Sequence, residues 1–149
     1  MVNSKVILIS VLLIASFSSL SHALTINGIQ IATVNVTGLL TCALSGNLVG
    51  NGPPVSGAIA VLSCGGANTN LAQAITNPAG VFTVILRILD TTIFDPSRCF
   101  IRVNLPVATC SVFPPNGALT SAIGLVTILQ SAVGNVADFA TGLFTYSVL

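Results

Sequence analysis

Cys42, Cys64, Cys99 and Cys110 are the residues of this 149-residue chain with the most chemistry to offer. Thiolates can ligate a metal, exchange electrons or close disulfides. A structural zinc site wants CxxC-type pairs or histidines, and here the spacings are long and the one histidine is His22. A CxxC redox pair is absent as well. That leaves staples. An even count in a secreted chain reads as a disulfide framework, with three pairings open to four cysteines and nothing in the spacing to choose between them.

Secretion is legible in the first residues. Lys5 is the only charge before the apolar run VILISVLLIASF, and Ser21-His22-Ala23 places small residues where a signal peptidase reads. The pattern predicts a signal peptide over 1–23, cut after Ala23, followed by a single domain over 24–149. The apolar run is short for a bilayer span.

Cleavage would strip the chain of its general bases. The sole lysine and the sole histidine both leave, and what remains has Arg87, Arg98 and Arg102 against Asp90, Asp95 and Asp138, with no glutamate. A Ser-His-Asp triad needs a base between nucleophile and acid, and a glycosidase needs a pair of carboxylates, one with a raised pKa. Asp90 opens Asp-Thr-Thr rather than the Asp-Thr-Gly turn of aspartic proteases. Asp90 and Asp95 share one loop, where solvent, Arg87 or Arg98 can satisfy them. There is no G-x-x-x-x-G-K phosphate loop. The expectation is a protein that is not an enzyme, without catalytic, metal or cofactor residues. A side-chain charge of zero also argues against nucleic acid, lacks the polybasic clusters that read anionic lipid, and permits self-association.

The elements that hold the cysteines are strands. In CFIRVNLPVATC, residues 99–110, Cys99, Ile101, Val103 and Leu105 share one face while Phe100, Arg102 and Asn104 share the other. This alternation predicts a half-buried strand ended at Leu105-Pro106, with Cys99 inward and Cys110 beyond a turn. Residues 32–42 alternate likewise, with Val34, Val36, Gly38, Leu40 and Cys42 together. AIAVLSC, 58–64, is apolar on both faces and reads as a central strand; LAQAIT is a weaker one. Thr76-Asn77-Pro78-Ala79-Gly80 is a turn leading into VFTVILRIL, 81–89, with Phe82, Val84, Leu86 and Ile88 on one face. SGNLVGNGPPVSG, GGANTN and DTTIFDPSR read as loops, and ATGLFTYSV as a last strand. In 118–133, Leu119, Ile123, Val126, Leu129 or Gln130, and Val133 recur at helical spacing, which predicts a short helix despite the β-branched residues and Gly124. Short strands between Gly/Pro/Asn turns predict an all-β barrel or sandwich of about seven strands.

One modification signal stands on the first of these strands. Asn35-Val36-Thr37 is an N-x-T sequon. Asn35 falls on the polar face, where a glycan can project to solvent; the alternative is an unmodified strand residue.

Together these motifs resemble the pollen Ole e 1 and extensin-like family. Val36-Thr37-Gly38-Leu39-Leu40-Thr41-Cys42 resembles its V-x-G-x-V-x-C opening, Val61-Leu62-Ser63-Cys64 its second cysteine strand, and Thr76 to Phe82 its turn. Cys99 to Cys110 resembles its closing segment. Within that group GLLTCALSGNL and CSVFPPNGALTSAI are similar to the phylloplanin branch. Classical pollen members carry further cysteines that this chain lacks. The resemblance implies a secreted Greek-key antiparallel β barrel or sandwich. It also implies the nested pairing Cys42–Cys110 and Cys64–Cys99, a location on the plant surface or in the cell wall, and inhibition of fungal or oomycete spore germination. The partners so implied are the spore, or the wax and wall of the plant. The alternative is a structural protein of cell wall or cuticle that binds polysaccharide. The C-terminal third, rich in Leu, Ile, Val and Phe, is expected to supply an exposed apolar patch.

Overall fold

A computed structural model describes residues 24–148 except 47, 66–69, 89–93 and 133. The expected signal peptide, Asp90 and Val133 therefore lie outside the described residues. Twelve strands follow one another: β1 Leu24–Ile26, β2 Ile29–Ile31, β3 Thr33–Leu39, β4 Leu44–Ser45, β5 Leu48–Val49, β6 Ile59–Cys64, β7 Asn70–Ile75, β8 Val81–Arg87, β9 Cys99–Asn104, β10 Ala118–Ser131, β11 Gly134–Thr141 and β12 Thr145–Ser147. Beyond the β1–β2 hairpin they form one curled sheet, compatible with a barrel or sandwich.

The 14-residue β10 is the shared strand. Its first half lies between β9 and β12, with β6 and β7 beyond β9 and with β5 and β4 beyond β12. Its second half pairs with β11, which runs parallel to β3; β8 completes that side. The inward faces meet in a core of Val34, Val36, Phe82, Val84, Leu62, Ile101, Leu119 and Phe139. Phe82 meets Phe144 edge-on at 6.3 Å, and Phe94 meets Phe139 at 5.7 Å. T-shaped pairs of this kind set the negative face of one ring against the positive edge of the other.

The period-two reading holds where alternation is clean. On β8, Phe82, Val84 and Leu86 are buried while Thr83, Ile85 and Arg87 are exposed. On β9, Cys99, Ile101 and Val103 are buried, and the Leu105–Pro106 peptide that follows is cis. β6 is central and buried on both faces, down to Ser63. The 76–80 turn is built as expected: Asn77 Oδ1 accepts from Ala79 N at 2.9 Å and Val81 N at 3.0 Å. Gly80 has φ +77°, and a Cβ there would meet Leu40 O at 2.5 Å. Only glycine fits both the backbone and the space.

The helix expected over 118–133 is not there; Ala118–Ser131 is strand. A one-residue irregularity between Leu125 and Thr127 explains the misreading. Before it, odd-numbered residues face inward with Leu119 and Ser121; after it, Ile128 lies opposite buried Ala137. A bulge shifts the alternation by one residue, so the apolar positions no longer repeat every two and imitate a helical stripe. The single helical element among the complete described elements is a 3-10 turn, Pro96–Arg98.

Three further expectations change. The strand count is twelve rather than about seven, because the Gly/Pro-rich loops hold two- and three-residue strands such as β4 and β5. ATGLFTYSV is split at Gly142–Phe144 between β11 and β12. And β11 against β3 is a parallel pair within an otherwise antiparallel sheet.

Candidate functional surface

The disulfides hold opposite ends of the antiparallel β6–β9 pair. Cys42, just after β3, is bonded to Cys110 beyond β9; Cys64, at the end of β6, is bonded to Cys99 at the start of β9. Cys64 and Cys99 are also direct cross-strand partners. No free cysteine occurs among the described residues.

The ionisable residues are scattered over the surface. Asp95 caps the 3-10 turn, its Oδ1 accepting from Ser97 N at 3.1 Å and Ser97 Oγ at 2.8 Å. The Ser97 hydroxyl, then the Ser97 amide, hold this carboxyl below its ordinary value, with Arg98 adding a smaller pull. Its job is thus local: it satisfies the donors that open the turn. Asp138 lies on the outer face of β11, opposite Thr127 of β10 and Asn35 of β3. Arg102 on β9 donates from Nη2 to Asn70 Oδ1 at 3.2 Å. Among the described residues no three of His, Cys, Asp and Glu cluster as metal ligands would.

Asn35, the sequon residue, sits mid-sheet on the outer face, between Asp138 of β11 and Ile85 of β8. It is half-buried, and its Oδ1 is buried without a hydrogen-bond partner. Thr37, two residues on, is exposed on the same face, its hydroxyl 3.3 Å from that of Thr83.

What the surface offers is uncharged. No ionisable side chain occurs anywhere from 103 to 137. Within that stretch the second half of β10 exposes Leu125 (40 %), Val126 (66 %) and Leu129 (52 %). Val126 is the residue that the irregularity leaves over, which is why an apolar β-branched side chain stands out in solvent. A second apolar spot, Leu39 with Leu143, borders a shallow cleft of about 390 Å³ backed by Phe144. The sequence located the first spot in the C-terminal third, though as part of a helix; the second joins residues about a hundred positions apart and had no local signal.

These features define a disulfide-stapled, all-β protein of low charge with exposed apolar side chains on its surface. The chain belongs to the phylloplanin family: the family model described as phylloplanin antifungal protein matches residues 30–148. No curated protein and no solved structure matches the chain.

Proposed function

We propose that this chain is a secreted defence protein of the plant surface that blocks germination of fungal or oomycete spores without catalysis and without positive charge. Family membership supports the antifungal activity. The mechanism rests on one observation, the exposed apolar side chains Leu125, Val126 and Leu129 in a part of β10 that carries no charge. Cationic antimicrobial helices need a basic face beside an apolar one; with three arginines, this chain has no such face. Exposed apolar side chains adhere instead by removing their own surface and that of wax, spore wall or membrane from water. In this reading residues 1–23 are removed on secretion, taking Lys5 and His22 with them. A wider kinship with the Ole e 1 and extensin-like group rests on the cysteine-strand motifs and is part of the same proposal.

The test is a germination assay with the purified secreted protein over a range of salt. Charge attraction between exposed groups is screened by about 0.15 M salt, where the Debye length is about 8 Å. An apolar mechanism holds or strengthens. Inhibition that fades with salt refutes the mechanism; inhibition absent at every salt refutes the defence reading and leaves a wall or cuticle protein.

A further inference from the structure

The outer face of β6 is the floor of a cleft of about 440 Å³, walled on one side by the loop 106–109 and on another by 56–57. Its floor is apolar: Ile59 is the exposed residue of β6, and Val61, two residues on, lies buried beneath with 8 % exposed. Carboxamides stand to either side. Gln73 is on β7, directly opposite Val61, with Asn70 at the start of the same strand; Asn104 closes the other side from β9. All three are exposed and line the cleft. β7 and β9 flank β6 two strand spacings apart, about 10 Å; directly across Val61 from Gln73 stands Arg102 of β9, with Asn104 two residues beyond.

The walls are fixed. Thr109 Oγ1 donates to Ser56 O at 3.0 Å, Cys110 N to Val107 O at 3.2 Å, and Cys110 is bonded to Cys42. Asn70 Oδ1 is held by Arg102, which leaves its NH₂ group as a donor. No ionisable side chain lines the cleft.

We infer that this cleft binds a neutral glycan. A pyranose ring has an apolar C–H face and a rim of hydroxyls that both donate and accept. An aliphatic floor at Ile59 bordered by Asn70 and Gln73 on one side and Asn104 on the other is complementary to that shape, because each carboxamide carries donors and an acceptor on one planar group. A preformed site loses little freedom on binding. Arg102, the cation at the border of the cleft, is engaged by Asn70 and does not line the cleft, so an acidic glycan would have to displace that contact; a fatty chain would strip water from three carboxamides with nothing to replace it. The inference stands on the cleft alone and is independent of the antifungal reading. Neutral glucans occur in plant walls and in the walls of fungi and oomycetes, so the test carries a probe for each.

The experiment is an amide and methyl NMR titration of the purified secreted protein with xyloglucan heptasaccharide, laminarihexaose and, as the acidic comparison, trigalacturonate. The expected result is saturable shifts of the Asn70, Gln73 and Asn104 side-chain amides and the Ile59 methyls with at least one neutral probe. Xyloglucan heptasaccharide identifies a plant ligand and laminarihexaose a microbial one. The double variant Gln73→Ala, Asn104→Ala should bind about tenfold more weakly, the loss of a hydrogen bond or two. The wild-type shift map decides the matter if that variant fails to fold. No shift at about 10 mM of either neutral probe, shifts that map elsewhere, a response to trigalacturonate alone, or unchanged affinity in a folded double variant overturns the proposal.

Discussion

Gly38 of β3 lies against the ring of Phe82 on β8: a Cβ at position 38 would come within 2.4 Å of Phe82 Cζ and 2.5 Å of Thr141 Oγ1. The two residues are direct cross-strand partners. The glycine lets the ring lie flat across its strand and reach Phe144 on the far side. Gly38→Ala should therefore destabilise by about 1–3 kcal/mol, the range for forcing a methyl into a packed core. Thermal or urea unfolding measures it. A variant as stable as wild type would mean that the ring moves aside at no cost.

The two disulfides close spans of 68 and 35 residues. In the chain-entropy model each constrains the unfolded state by about 4 kcal/mol, and because one span contains the other the two do not add. Replacing either pair by alanine should lower stability by up to that amount, with the longer span costing slightly more. Non-reducing peptide mapping checks the connectivity; a peptide joining Cys99 to Cys110 would contradict it.

The pH response should be flat through neutrality. Asp95, fully exposed, has its pKa lowered by Ser97. A carboxyl lowered in the folded state stabilises above its unfolded value, near 3.8, and that contribution is lost as pH falls through the lower folded value. Ser97→Ala should bring the Asp95 carboxyl back toward 3.8 in a carbon-detected titration and leave stability at pH 7 nearly unchanged, since the group is in solvent. A melting temperature that moves sharply between pH 5 and 8 would show a titrating group that this account omits.

Asn35 keeps a buried oxygen without a partner in the middle of a sheet. An unsatisfied buried acceptor costs about 1–3 kcal/mol, so Asn35→Val should be neutral or stabilising. Protein secreted from plant cells should carry a glycan there that Thr37→Ala removes; its absence in intact-mass spectra would leave Asn35 as a plain strand residue.

Leu129→Lys places a charge on the exposed part of β10 without touching the core. It should preserve the fold and reduce spore inhibition several-fold. Ile85→Lys, equally exposed but on β8, should not. Equal loss in both would point to general surface apolarity rather than to β10.

Much of this protein is determined by its sequence alone. Composition and the paucity of ionisable groups set the class, because an uncharged apolar chain can bury a core while its Thr, Ser and Asn face water. Local alternation set β3, β8 and β9, since side chains on a strand point to opposite faces in turn and need no knowledge of the partner, and β6 was legible as a short apolar run buried on both faces. Tertiary structure decided the rest. Whether Leu119 to Leu129 coil or extend was settled by the strands waiting on either side of β10, and the odd residue at Val126 hid the alternation that would have revealed it. The parallel seating of β11 on β3 left no local mark, because register is a property of pairs. Nor did the cleft over β6, whose floor comes from β6 and whose carboxamides come from β7 and β9. In the sequence Ile59, Gln73 and Asn104 are ordinary strand residues and Asn70 a loop residue, and they become neighbours only when the sheet brings three strands side by side.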